Sequence, residues 1–305
     1  MRNLKKYHGV FPAFYACYAD DGSVSAERTE AFTRYLSDKG VKGLYVCGSS
    51  GECIYQSVAE RKLTLECVMK ARGNMTVIAH VACNNTADSV ELARHAQSLG
   101  VDAIAAIPPI YFKLPDYSMA DYWNAISAGA PNTDFFIYNI PQLAGIALSK
   151  GLFSTMLQNP MVVGVKNSSP AVQDIQLFKA MGGKDCIVFN GPDEQFVGGR
   201  IMGADGGIGG TYASMPELFL RADELVKNGQ FEKATELQFA INEIIYAFLE
   251  CKGNMYAVIK EILRRRDKMD IGGVRAPLSN IFPEDLPKIE HTIKLIDTAI
   301  HNFVG

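Results

Sequence analysis

A chain of 305 residues, 48% hydrophobic and 21% charged with a net charge of −3, has the composition of a soluble globular protein, long enough for one large α/β barrel or two ordinary domains. Acidic and basic residues are interspersed, which argues against a nucleic-acid partner, and no apolar run approaches the roughly 20 residues that cross a bilayer. The N-terminus has no apolar signal core, and the seven cysteines lack metal-type spacing, so a cytoplasmic protein with reduced thiols is expected.

Short β-branched runs alternate with amphipathic stretches through the first two-thirds of the chain. In chain order, a strand over 9–15 is followed by a helix over 25–38, a strand over 43–46 by a helix over 58–71, and a strand over 76–80 by a helix over 86–99. Leu92, Ala93, Ala96 and Leu99 share one face of that third helix. Strands at 103–107, 134–139, 162–166, 187–190 and 206–208 then alternate with helices at 118–128, 150–158, 171–181, 194–202 and 216–227. Strict alternation implies a parallel sheet covered by helices, and eight such units predict an α/β fold of the (β/α)₈ TIM barrel type over residues 1–230. No G-x-G-x-x-G follows the first strand, which weakens a dinucleotide-binding alternative. From 231 the strand signal stops. Helices at 231–251, 255–266 and 286–303 form a C-terminal three-helix extension, residues 231–305, expected to pack on the barrel, with Pro277, Pro283 and Pro287 before the last helix. Arg264-Arg265-Arg266 reads as a solvated helix end.

The active site of such a barrel lies at the C-terminal ends of its strands, which turns the sequence into a set of candidates. MVVGVKNSS, residues 161–169, places Lys166 where an apolar strand surfaces. Burying an unpaired ammonium lowers its pKa, and a neutral lysine is a nucleophile toward carbonyls; the plainer alternative is an ion pair with a carboxylate at the barrel mouth. Gly48-Ser49-Ser50-Gly51 either offers N–H and hydroxyl groups to a small anion or is an ordinary βα turn. Tyr138 either relays protons or caps a layer of the barrel interior. Asp193 and Glu194 either bind polyol hydroxyls or favour a helix start through its dipole. Tyr111, Ser168, Gly191 and Gly210 follow other strands on the same rim. Cys47 and Cys53 lie near the glycine loop but read as buried thiols, and His80 ends a strand without an acidic or histidine neighbour that would suggest a metal.

GSSGE at 48–52, YNIP at 138–141, GVK at 164–166 and GADGGIGGTY at 203–212 resemble the dihydrodipicolinate synthase/N-acetylneuraminate lyase family, in order and across nearly the whole chain. The resemblance implies a Schiff-base (β/α)₈ aldolase acting on pyruvate, a homotetramer without metal or organic cofactor. It implies that Lys166 forms the imine, Tyr138 moves protons, and Ser49, Ser50 and the Gly48 loop hold the pyruvate carboxylate. Tyr111 resembles a tyrosine that reaches toward a neighbouring subunit's site. Synthases of the family carry an arginine two residues after the YNxP proline, whereas Pro141 here is followed by Gln142 and Leu143, which cannot pair with a carboxylate. That position, and the Gly191, Asp193 and Glu194 segment with Ser168, are similar to the N-acetylneuraminate lyase branch, which implies cleavage of N-acetylneuraminate to N-acetylmannosamine and pyruvate. Gly210 departs from the GIGSTY pattern of that branch. Two rivals remain at this level: another pyruvate-dependent aldolase of the family, including a dihydrodipicolinate synthase, and a non-catalytic pyruvate- or sialate-binding sensor.

Overall fold

The computed structural model describes residues 3–305. A 3₁₀ turn, Leu4–Tyr7, leads into β1 (Gly9–Pro12), α1 (Ala26–Asp38), β2 (Gly43–Val46), α2 (Val58–Ala71), β3 (Thr76–His80), α3 (Thr86–Ser98), β4 (Ala103–Ala106) and α4 (Asp116–Gly129). Next come β5 (Asp134–Asn139), the single turn α5 (Pro141–Ala144), α6 (Lys150–Met156), β6 (Val162–Asn167), α7 (Gln173–Gly182), β7 (Ile187–Asn190), α8 (Phe196–Ile201), β8 (Gly206–Gly209) and α9 (Pro216–Lys227). Three further helices end the chain: α10 (Phe231–Leu249), α11 (Met255–Arg266) and α12 (Leu286–Phe303).

The eight strands form one parallel sheet in the order β1-β8-β7-β6-β5-β4-β3-β2. The Phe14 N–H donates to the Tyr45 carbonyl at 2.9 Å and the Lys42 N–H to the Val10 carbonyl at 3.0 Å, which joins β1 to β2 and makes the sheet a TIM barrel. Period-2 alternation divides the apolar residues into two shells. Phe11, Tyr45, Ile78, Phe136, Tyr138, Phe189 and Ile208 fill the barrel interior, while residues such as Val46, Ile104, Phe135, Ile137 and Val188 face the helices. Side-chain caps start the helices where the sequence provides them: Ser25 on α1, a Ser57–Glu60 capping box on α2, Asn85 on α3 and Ser149 on α6.

The expected elements recur with local differences. The first strand ends at Pro12 rather than 15, because beyond it the chain pairs only through the Ala13–Tyr45 bridge. The helix expected at 194–202 is split into a 3₁₀ turn, Asp193–Gln195, and α8. The short α5, started by Pro141, has too few residues to show a periodic pattern. Arg266 Nε donates to Asp297 and Arg265 Nη1 to Glu290, both on α12 and both at 2.7 Å, so these two residues tie α11 to α12, while Arg264 pairs with Glu261 inside α11.

The interior aromatics form the floor beneath the site. Phe189 stands between Phe11 and Phe136, with ring centroids 5.2 and 5.4 Å away. Phe189→Ala opens a cavity there, and an urea titration should show a loss of about 3–5 kcal/mol; a loss below about 1 kcal/mol would mean that this layer does not support the barrel.

Candidate active site

Two adjacent strands set the centre of the site. The β5–β6 register pairs Tyr138 with Lys166 and Asn139 with Asn167, and Tyr138 faces the interior, so Lys166 points into the barrel beside it. One residue further along, at the ends of both strands, Asn139 Nδ2 donates to Asn167 Oδ1 at 2.8 Å, while Asn139 Oδ1 accepts the Leu148 N–H at 2.9 Å. Those bonds lock the ends of both strands and the chain after α5.

Lys166 is 4% exposed and has no hydrogen bond or ion pair among the described residues. Its Nζ lies 3.9 Å from the Tyr138 ring centroid and 4.1 Å from that of Tyr45. Burial lowers its pKa to about 7, with the Asp193 carboxylate acting in the opposite direction. The ion-pair alternative for this lysine is therefore not the one the fold adopts. A substantial neutral fraction at neutral pH makes Nζ competent to attack a carbonyl.

The Gly48–Glu52 loop follows β2. Cys47 at φ 60° and Glu52 at φ 52° are both left-handed, so the loop is tightly wound at each end. A Cβ on Gly48 would stand 2.6 Å from the Tyr45 ring, which only glycine avoids. The N–H groups of Gly51, Glu52 and Cys53 are used within the loop, whereas those of Ser49 and Ser50 find no acceptor among the described residues. Two free N–H groups and two hydroxyls can bind a carboxylate.

Tyr138 is buried, which pushes its hydroxyl up to about 12, with the hydroxyls of Ser49 and Ser168 working the other way. Ser168 follows β6, its N–H donating to the Asn139 carbonyl at 2.7 Å. Gly191 packs on it so closely that a Cβ would lie 1.9 Å from Ser168 Oγ.

Asp193 and Glu194 have separate fates. Asp193 is buried, and its Oδ2 accepts the Thr211 N–H at 2.7 Å and the Thr211 hydroxyl at 2.6 Å, tying the loop after β7 to the loop after β8. Burial raises its pKa to about 7 against those two donors. Glu194 stands exposed at the rim, its carbonyl accepting from Asn242 of α10 at 3.1 Å.

These residues line one cavity of about 310 Å³, bounded by Ser49, Ser50, Tyr138, Lys166, Ser168, Gly191, Asp193, Glu194 and Gly210. Tyr111 does not join them: it is 89% exposed and lines a different cleft with Asn84 and Phe112. His80 is spent on structure, Nδ1 lying 2.9 Å from the Cys47 carbonyl and Nε2 accepting the Ile107 N–H. Burial raises the Cys47 thiol to about 11, away from a reactive thiolate. Among the described residues no group of three or more His, Cys, Asp or Glu is placed to hold a metal ion. Sequence reasoning missed the contribution of the C-terminal helices. Ile245 and Leu249 of α10 and Tyr256 of α11 line the cavity, and Gln238 of α10 donates to the Asp193 carbonyl at 3.1 Å.

The profile of the dihydrodipicolinate synthetase family matches residues 6–296. The chain belongs to that family. Within the dihydrodipicolinate synthetase family, an N-acetylneuraminate lyase of Mediterraneibacter gnavus is 60% identical over 305 residues, covering 100% of this chain and 97% of the relative. A solved Ruminococcus gnavus sialic acid aldolase, a catalytic lysine mutant, superimposes with a TM-score of 0.98 at 60% identity, covering 99% of this chain and 100% of that one. CdNal from Clostridium difficile, solved in complex with mannosamine, gives 0.89 at 27% identity over 94% of this chain and 98% of that one.

The Asp193–Thr211 link is open to a direct test. Asp193→Ala leaves two donors of Thr211 without their carboxylate and should cost about 1.5–3 kcal/mol by denaturant titration. Thr211→Val, which removes only the hydroxyl, should cost less; equal losses would contradict a carboxylate serving both donors.

Proposed function

We propose that the chain reversibly cleaves N-acetylneuraminate to N-acetylmannosamine and pyruvate, as a class I aldolase acting through an imine on Lys166. The observation that carries the chemistry is Lys166 Nζ, buried without an ionic partner inside the cavity. The neutral amine attacks the C2 ketone of the open-chain sugar acid, and the carbinolamine loses water to a protonated imine. The imine accepts the electron pair of the C3–C4 bond as the proton leaves the C4 hydroxyl, giving the aldehyde and an enamine. Protonation at C3 and addition of water to the imine release pyruvate and restore the lysine. Tyr138, beside Lys166 and near the Ser49 and Ser168 hydroxyls, is positioned to carry the protons.

In this reading the Ser49–Ser50 loop takes the carboxylate, and Ser168, Gly191, Glu194 and the edge of Asp193 face the polyol end. Full-length identity of 60% to an N-acetylneuraminate lyase supports the choice of sugar acid. Leu143 supports it too, since it lines the cavity at 63% exposure where a synthase-type arginine is expected. The reading includes a homotetramer, supported by the exposed Tyr111–Phe112 aromatic pair beside a cleft outside the Lys166 cavity. It also includes a cytoplasmic location, supported by seven unpaired cysteines; among the described residues no helix is long and apolar enough to cross a membrane.

Pyruvate release from N-acetylneuraminate, coupled to NADH oxidation by lactate dehydrogenase, should fall at least about 10³-fold in Lys166→Ala. Retention of most of the activity would remove the imine mechanism. Tyr138→Phe should keep pyruvate binding while the cleavage rate drops by about 10²–10⁴.

The pH dependence has a defined sign. Only the neutral amine attacks, so imine formation should fall about tenfold per pH unit below the Lys166 pKa of about 7 and level off above it. An acid limb centred near 10 instead would show an ordinary solvated lysine.

A further inference from the structure

Helix α11 reaches the carboxylate loop at two points one turn apart. The Ser50 hydroxyl donates to Tyr256 Oη at 3.2 Å. Four residues on, Lys260 Nζ meets Glu52 Oε1 at 2.9 Å, both side chains being essentially inaccessible. Residues at this spacing share a helix face, so one edge of α11 holds both the middle and the end of the Gly48–Glu52 loop. Glu52 also accepts the Arg275 N–H through its other oxygen at 2.9 Å. The tyrosine is itself held in place. Asn254 caps the helix by accepting the Tyr256 N–H at 3.0 Å, and the Tyr256 ring packs on Tyr15 with centroids 6.0 Å apart. The Tyr15 hydroxyl donates to the Gly210 carbonyl at 2.6 Å, which fixes the loop after β8 next to the Ser50–Tyr256 pair.

Gly210 stands beside this pair. A Cβ built there would lie 3.5 Å from Ser50 Oγ and 3.6 Å from Tyr256 Oη, both ordinary contacts, so a side chain fits without displacing either group. A serine hydroxyl has one proton to give. Here that proton is donated to Tyr256 Oη; when a carboxylate takes it, the Ser50 lone pair turns free, and the hydroxyl in reach to donate to it is that of Tyr256.

We propose that Tyr256 is a positioning residue for the 2-oxo acid carboxylate: its hydroxyl orients that of Ser50 toward the substrate, a task that a hydroxyl at position 210 could share but that Gly210 leaves to the helix. The proposal rests on the imine chemistry assigned to Lys166 and on the Ser49–Ser50 loop as its carboxylate site. It makes α11 a part of the active site, and Lys260 the anchor that keeps the same helix edge in register with the loop.

The test is borohydride trapping of the Lys166–pyruvate imine as a function of pyruvate concentration, read by intact mass, in wild type, Tyr256→Phe and the double variant Gly210→Ser/Tyr256→Phe. Tyr256→Phe should raise the pyruvate concentration for half-trapping about tenfold while the yield at saturation stays at the wild-type level. The double variant should return half-trapping to within about threefold of wild type, because the new hydroxyl has room beside Ser50. A general loosening of the loop would not be rescued from position 210, so failure of rescue overturns the proposal. So does an unchanged half-trapping concentration in Tyr256→Phe, or a loss of saturating yield. If wild type itself gives no adduct on Lys166, the imine reading falls together with the positioning role; an adduct in wild type that responds to neither variant overturns the positioning role alone.

Discussion

The site depends on one desolvated ammonium. Lys166 has been taken out of water between two tyrosine rings, without a carboxylate in ion-pair contact. A buried charge in that position is costly, and the molecule lowers the cost by letting the group lose its proton near neutral pH. The same desolvation that works against stability yields the nucleophile. The aromatic floor formed by Phe11, Phe136 and Phe189 matters here because it closes the barrel beneath the site.

Other polar groups at the mouth are arranged so as not to undo that effect. Asp193, the nearby carboxylate whose charge raises the lysine's pKa, is itself buried and turned toward two donors of Thr211. Buried Glu52 and Lys260 pair with each other, so their ionic energy goes into holding the loop rather than into neutralising the nucleophile. The loop of Ser49 and Ser50 keeps its free N–H groups because its other amides are already satisfied within the turn. The result is a cavity with an amine at one point and anion-binding donors a short distance away.

Much of this was legible in the chain. The eight βα units follow from short apolar runs alternating with period-3.6 patterns, because the strands are buried on both faces and each helix buries one. Lys166, Tyr138 and the GSSGE loop could be found because an active-site rim gathers strand ends, and strand ends are what a hydrophobic pattern locates best. Three things were not legible, each for a physical reason. The different orientations of Asp193 and Glu194 depend on a 3₁₀ turn whose direction three residues do not encode. The segregation of Tyr111 from the cavity depends on its backbone at φ 90°, an unusual conformation for a non-glycine residue. The contributions of Gln238 and Tyr256 arise from contacts between residues 45 and 206 positions apart, on helices whose own patterns record only that one face is buried.

The most direct measurement of the central claim is the titration of Lys166 itself, by following its ε-methylene resonance in ¹³C-lysine-labelled protein, assigned by comparison with Lys166→Ala. A midpoint near 7 would establish that burial without an ionic partner keeps this amine available as a nucleophile. A midpoint close to 10.4, the ordinary value for a lysine in water, would contradict it.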